Sequence, residues 1–374
     1  MKENNIIDAN NPSKLSKEKI INRGINFHLK GKIIEAINCY RYCINQDFND
    51  HRIFFNYGKI LEDFGKLKEA ELSYRKAIEV KPAYAEAYSN LGNVLTRLGK
   101  LKEAELSFCK AIEIKPDFVR AAWNLHGLAN SIEEAEERIN KCLKIEENYL
   151  YAKLTLSALK LHQGDQSLLD DLMNSKHKDH PITRSIKWVS NLPKLPELFF
   201  HQWGFFESII NKTKQDRPFY EFGVWRGDSF KYFINTFKKG YGFDTFEGLP
   251  EDWHNVKKGR YTSEGIIPSV DGGIFIKGKF EDTLPIFFSK PRPLASLINF
   301  DADMYTSTLC ALNYSKPVID KDTILLFDEF IMNKTWEDDE FKALNEFCNI
   351  NNISYEVLGV SYFTMQVAVK LIGI

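Results

Sequence analysis

The sequence predicts a two-domain chain of class α + α/β: an α-helical solenoid, then a doubly wound, mostly parallel sheet with one antiparallel terminal strand. Three observations predict it. The stretch GKLKEAELS occurs at 65–73 and again at 99–107, one 34-residue period later. From residue 218 onward, short apolar runs alternate with stretches of helical spacing, as in a sheet covered on both faces. The last two apolar runs, YEVLGVSY and TMQVAVKLI, are joined by a short link, so they read as a hairpin with one strand reversed.

Bulk properties agree. A length of 374 residues suits two domains, expected at 1–176, a linker and lead-in helix at 177–217, and 218–374. Hydrophobic residues make up 44% and charged residues 27%, as in ordinary globular proteins. A net charge of −1 implies no basic face for nucleic acid. No apolar run approaches the roughly 20 residues of a membrane span. The opening MKENNIIDANNPSK lacks the apolar core of a secretory signal. Cys39, Cys43, Cys109, Cys142, Cys310 and Cys348 form no C-x-x-C pair and no zinc spacing. These features predict a cytoplasmic protein with free thiols, binding neither nucleic acid nor membrane.

The 34-residue offset also relates Gly58 to Gly92, Tyr74 to Phe108, Ala77 to Ala111 and Pro82 to Pro116. One period earlier stand Gly24, Gly31, Ala36 and Tyr40, with Phe48 at the proline position. Small residues sit where paired helices cross closely, the aromatic fills the gap to the next repeat, and proline ends the second helix. This pattern resembles the tetratricopeptide repeat (TPR), a helix–turn–helix unit. A fourth, shortened copy carries Ala135 and Cys142, and 151–173 read as a capping helix pair. A solenoid presents a concave face, so the array is expected to dock a peptide or partner chain, or to self-associate.

Between the halves, Pro181, Pro193 and Pro196 argue against one long helix, and a helix is expected from Glu197 to about Ile210. His177, His180 and His201 show no ligand spacing. Strands are then expected at FYEFGVW, GYGFDTF, GGIFIKGK, LASLINFDAD and DTILLFDEF, with helices at DSFKYFINTFKK, TSTLCALNYSKPVI and DDEFKALNEFCNI. Ligands of such sheets sit at the carboxyl ends of the strands. That places Gly223, Asp244, Asp301, Asp303, Asp328 and Glu329 on one rim.

Glu221, Gly223, Gly227, Asp228 and Ser229 close the first of these strands and open a helix, and Asp244 lies 21 residues after Gly223. The dinucleotide fingerprint G-x-G-x-x-G is not met, because the spacing here is G-x-x-x-G with an acid before it. An acid repels a pyrophosphate and suits a cation. A doubly wound sheet with one reversed terminal strand is also the class I methyltransferase architecture.

EFGVWRGDS, GFDTFEGLPEDW, KGKFEDTLP, NFDADMYTST and LLFDEF, in that order, resemble the motifs of the macrocin O-methyltransferase family over about residues 197–374. The resemblance implies a Rossmann-like domain that binds S-adenosylmethionine (SAM) and Mg²⁺, or another divalent cation, and methylates a hydroxyl of a sugar, glycan or glycosylated metabolite. It implies that Glu221, Gly223, Gly227 and Ser229 line the methionine end, that Asp244 takes the ribose, and that Gly278 and Phe280 lie near the adenine. It implies Asp301, Asp328 and Glu329 as metal ligands and Asp303 as the base, with glutamate at 329 where the family has aspartate. Metal binding would lower the pKa of the acceptor hydroxyl, and Asp303 would take its proton. In an extended segment, residues i and i+2 face the same way, so Asp301 and Asp303 are expected to converge.

Trp253, His254, Tyr305 and Trp336 are aromatic candidates to stack on a sugar, and 255–273 reads as a mobile lid. Asp338, Asp339 and Glu340 are expected to favour a helix N-terminus. Two other readings stand beside the enzyme: a non-catalytic TPR scaffold carrying a degenerate methyltransferase fold, and a nucleotide-dependent oxidoreductase.

Overall fold

The computed structural model describes residues 16–374, so the opening stretch MKENNIIDANNPSK lies outside the described residues. Contacts divide the chain into a helical unit, through Leu128 with Asn140–Glu147, and a mixed α/β unit of Ala129–Ile139 and Asn148–Ile374.

In the helical unit, α1 (Lys17–Leu29) pairs with α2 (Ile33–Asn45), α3 (His51–Asp63) with α4 (Leu67–Val80), and α5 (Ala85–Arg97) with α6 (Leu101–Ile114). The short α7 (Val119–Asn124) follows. Helix α8 (Ile132–Ile145) is divided between the two units. Gly31, Gly65 and Gly99 turn each pair at φ 69°, 65° and 73°, a left-handed conformation that costs glycine nothing. The repeat's small residue and its aromatic meet within one pair. A Cβ at Gly24, Gly58 or Gly92 would lie 2.9, 2.9 or 2.6 Å from the ring of Tyr40, Tyr74 or Phe108. The aromatic therefore closes its own repeat as well as reaching the next, where Asn90 Nδ2 donates to the Tyr74 hydroxyl at 3.4 Å. Gly92→Ala is expected to lower stability by about 1–2 kcal/mol, because overpacking outweighs the gain in helix propensity. Urea titration of the full chain checks this.

The α/β unit begins earlier than the expected boundary at 176. Helices α9 (Leu150–His162), α10 (Ser167–Met173) and α11 (Pro181–Ser190) bury Ala158, Leu161, Leu169, Ile186 and Val189 in one core with Tyr220, Phe222 and Ile298. The helix expected from Glu197 instead starts with a short strand, β1 (Glu197–Phe199), and then α12 (Gln202–Asn211). His201 starts that helix: its Nδ1 accepts from Gly204 N–H at 3.0 Å, a capping contact the sequence did not reveal.

Next come β2 (Phe219–Phe222), α13 (Asp228–Phe237), β3 (Gly240–Asp244), β4 (Gly273–Lys277), α14 (Phe280–Phe288) and β5 (Leu297–Phe300). They are followed by α15 (Tyr305–Ser315), β6 (Ile324–Phe327), α16 (Glu340–Asn351), β7 (Ser354–Ser361) and β8 (Val367–Ile372). Helix α14 was not expected, because Pro285 sits inside it. The sheet has eight strands in the order β1-β7-β8-β6-β5-β2-β3-β4. Only the pairings of β8 are antiparallel, as the hairpin predicted.

Alternation sorts the strand residues onto two cores. Phe219, Leu297 and Leu326 pack with α12 and α13, while Tyr220, Ile298 and Leu325 pack on the other face. The rings of Phe243, Phe222, Phe300 and Phe327 stack across β3, β2, β5 and β6, with centroids 5.0, 5.4 and 4.8 Å apart. This aromatic ladder lies at or next to the strand ends and stiffens the floor of the rim.

Candidate ligand site at the strand ends

The chain leaves β2 toward β3 and β4 and returns to β5 on the other side of β2. The sheet therefore splits direction between β2 and β5, the crevice where open α/β sheets hold ligands. Gly223 sits there at φ 92°, its own N–H donating to Phe243 O at 2.9 Å. A Cβ on it would lie 1.8 Å from the carbonyl oxygen of Asp301. Gly227 (φ 72°) opens α13, and Ser229 is in the helix's first turn.

Asp244 holds this loop in shape. Its Oδ2 accepts from Val224 and Trp225 N–H at 2.8 and 2.7 Å, and its Oδ1 from Phe246 N–H at 2.6 Å. Those bonds use three of a carboxylate's roughly four acceptor positions. Gly278 N–H donates to Asp244 O at 2.9 Å, and the Phe280 ring meets Phe222 edge-on at 5.7 Å. The residues expected to hold a cofactor thus fall along the ends of β2, β3 and β4.

Glu221 is fully buried. Asn299 Nδ2 donates to its Oε1 at 2.8 Å, while its Oε2 and Asn299 Oδ1 have no hydrogen-bond partner. Burial pushes the Glu221 carboxyl up to about 8; the charges of Asp244 and Asp328 add to this, against bonds from Ser229 and Asn299. Sequence reasoning missed Asn299. It stands two residues before Asp301, so strand alternation would have found it.

The expected metal centre does not form. Among the described residues no group of three or more His, Cys, Asp or Glu side chains is placed to hold a metal ion, so Asp301, Asp328 and Glu329 are not a ligand set here. The backbone supplies the reason. Strand β5 ends at Phe300, and Asp303 takes the left-handed conformation at φ 58°, so Asp301 and Asp303 do not share an extended segment. Strand β6 likewise ends at Phe327, just before Asp328 and Glu329.

The acids instead crowd one another. Burial, then Asp328, Asp303, Glu221 and Glu340, raise the Asp301 carboxyl well above its ordinary value. Burial, then Glu329, Asp328, Asp339 and Asp244, do the same to Asp303. Burial with Asp328 and Asp339 pushes Glu329 up to about 7. Protonation relieves the repulsion that a cation was expected to relieve. Glu340, expected only to favour a helix end, is fully buried in this group and is raised by burial, Asp303, Asp328 and Glu329. Nothing in the run EDDE shows which acid turns inward.

The aromatic candidates are engaged elsewhere. Trp336 is 3% exposed and packs against Trp188 and Phe341, with centroids 6.1 and 4.8 Å away. The Tyr305 hydroxyl donates to Glu346 at 2.6 Å. Trp253 Nε1 donates to Asp339 Oδ1 at 3.1 Å, and His254 Nε2 lies 3.0 Å from both oxygens of that carboxylate. Asp339, also expected at a helix end, makes no cap bond to α16 and instead holds Trp253 and His254, the two residues that lead into the expected lid. His254→Ala is expected to free this loop. Losing about 1–1.5 kcal/mol of hydrogen bonding raises tryptic cleavage at Lys257, Lys258 and Arg260 about tenfold, read on a time course.

The helical unit carries an open cleft of about 430 Å³ between α4, α5 and α6, lined by Arg75, Ile78, Tyr88, Leu91, Glu103 and Leu106. Leu72 and Leu106, one period apart, are 68% and 71% exposed. Comparison with known families matches a TPR repeat at residues 63–99 and a tetratricopeptide repeat at 85–118. This part of the chain is tetratricopeptide repeat.

The TPR region also resembles solved repeat proteins. One is a tetratricopeptide repeat protein from Parabacteroides merdae, with TM-score 0.41 and 19% identity, covering 46% of this chain and 73% of that one. YrrB, described as a TPR protein with an unusual peptide-binding site, has TM-score 0.40 and 16% identity, covering 46% and 92%. MamA has TM-score 0.39 and 20% identity, covering 44% and 93%. No curated protein matches the sequence.

These findings correct the enzyme expectation. The matching families are repeats, and the acids form no metal site among the described residues. The metal-assisted O-methyltransferase is set aside, and with it the role of Asp303 as a base. Among the described residues no helix is long and apolar enough to cross a membrane, which by itself specifies no compartment.

Proposed function

We propose that this chain is a non-catalytic interaction scaffold: its TPR region grips an extended segment of a partner protein, and its α/β unit holds a small ligand. The observation that carries the reading is the cleft between α4, α5 and α6, where apolar Ile78, Tyr88 and Leu91 lie beside Arg75 and Glu103, with Leu106 at its edge. Stacked repeats expose such faces, and a groove of mixed apolar and charged side chains suits a peptide. Panning a displayed peptide library on the full chain tests it. Selected peptides should protect α4–α6 from hydrogen exchange, and Leu106→Glu should abolish capture without changing the melting temperature. Selection of no peptide, or protection confined to the α/β unit, refutes the docking role.

For the α/β unit, the strand order and single reversed strand support a doubly wound, class I methyltransferase-like sheet used for binding alone. SAM is the ligand that suits the stretch along β2, β3 and β4. The unpartnered Glu221 Oε2 and Asn299 Oδ1 are acceptors for an ammonium group, Gly223 leaves room for close approach, and Asp244 keeps about one acceptor position for a hydroxyl. Calorimetry should register SAM binding, with no S-adenosylhomocysteine formed on long incubation.

A further inference from the structure

We infer that the free edge of the sheet, strand β4, pairs antiparallel with the β4 of a second copy of this chain, about a two-fold axis at Phe275. The inference is independent of the peptide cleft and of the ligand rim.

The edge is open. Strand β4 ends the strand order and pairs with β3 alone. Gly240 N–H donates to Gly272 O at 3.2 Å and Gly278 N–H to Asp244 O at 2.9 Å, so the even-numbered residues of this stretch turn their backbone groups toward β3. Gly273, Phe275 and Lys277 turn theirs outward. Val270 O takes the Gly273 N–H at 3.0 Å. Among the described residues, nothing takes the N–H or the C=O of Phe275 or Lys277. Such an edge is a template for another strand. The opposite edge, β1, is three residues long and follows Pro193 and Pro196, which blunt it.

The stretch DGGIFIKGK, 271–279, complements itself, and this selects a second copy as the occupant. Turned antiparallel about Phe275, the two Phe275 residues exchange N–H···O=C bonds, and each Lys277 N–H meets the opposite Gly273 O. Ile274 falls opposite Ile276 of the second copy, on one face of the joined sheet. Ile274 is 45% exposed in the single chain and Ile276 is half-buried, so pairing covers both. Lys279 falls opposite Asp271, and both are exposed. Lysine on an edge usually guards against pairing. Here Lys279 meets an acid, and Lys277 Nζ is neutralised in its own chain by Glu247 Oε1 at 3.0 Å. Moving the axis to Lys277 would oppose like charges, and moving it to Gly273 would set Phe275 against the turn at Asp271. The segment before the strand adds apolar surface. Ile266 and Ile267 are exposed, and a Cβ on the neighbouring Gly265 would lie 3.9 Å from Lys277 Nζ.

Sedimentation velocity on the full chain, from about 1 to 200 µM, tests this. Monomer should give way to dimer as concentration rises. Ile274→Lys should raise the dissociation constant about a hundredfold, because each dimer carries the change twice. Asp271→Lys and Lys279→Asp should each raise it about tenfold, and the double variant should restore the parent value. The substituted side chains are exposed, and circular dichroism confirms that the variants fold. Monomer at every concentration, a dimer indifferent to Ile274→Lys, or no recovery in the double variant overturns the inference. A dimer that Ile274→Lys leaves intact and Leu106→Glu dissolves places self-association on the repeats, and overturns it too.

Discussion

Gly223→Ala is expected to destabilise the α/β unit by about 4 kcal/mol, a large effect for a single added methyl group. Two costs combine. The backbone at φ 92° is one that an L side chain rarely adopts, and the added Cβ would lie 1.8 Å from the Asp301 carbonyl oxygen. That neighbour is backbone, held by the Asp301 N–H bond to Phe222 O, so it cannot swing aside as a side chain could. Gly259→Ala is the control. Gly259 has φ 82° with nothing within 4 Å of a Cβ, so it carries the conformational cost alone, about 1 kcal/mol. Urea midpoints of the two variants separate the terms, and equal midpoints would show that the Gly223 clash is relieved by movement.

Stability is expected to fall between pH 6.5 and pH 8.5, by on the order of 2 kcal/mol. The sign follows from the carboxyls. Glu329 at about 7 and Glu221 at about 8 lie above the ordinary value of 4.5, so across this window the folded chain binds protons that the unfolded chain has released. Their penalty is absent below pH 4.5 and complete only about one pH unit above the higher of the two values, near pH 9. The histidines act in the opposite sense, but lower down. Burial depresses His162 to about 4 from 6.5, so its contribution is already present by pH 6.5. Glu329→Gln should therefore flatten the upper limb, raising stability at pH 8.5 and leaving it unchanged at pH 4. Melting temperatures across this range decide it, and a rise from pH 6.5 to 8.5 would contradict the crowding of these acids.

Much of the architecture was legible because it rests on period and on local chemistry. The 34-residue spacing located Gly58, Tyr74, Gly92 and Phe108 within their helix pairs, and the hairpin of β7 and β8 followed from two apolar runs with a short link. Elements with weak local signals escaped. The strand β1 is three residues long, and its pairing with β7 is a contact between residues about 160 positions apart. Helix α14 was hidden by Pro285.

The site divided in the same way. Strand order alone placed Gly223, Asp244, Asp301, Asp303, Asp328 and Glu329 along one rim, because the ends of neighbouring parallel strands lie side by side. The geometry of the acids could not be read that way. Whether Asp301 and Asp303 face one point depends on the backbone after β5, and the positive φ of Asp303 is chosen by packing. Which acid of 337–340 turns inward depends on how α16 meets the sheet. Sequence by itself determined the repeat, the alternation of strand and helix, and the rim on which the acids fall, since each follows from neighbours along the chain. Tertiary structure alone decided that those acids crowd without converging, because convergence is a property of side-chain directions brought together from separate strands.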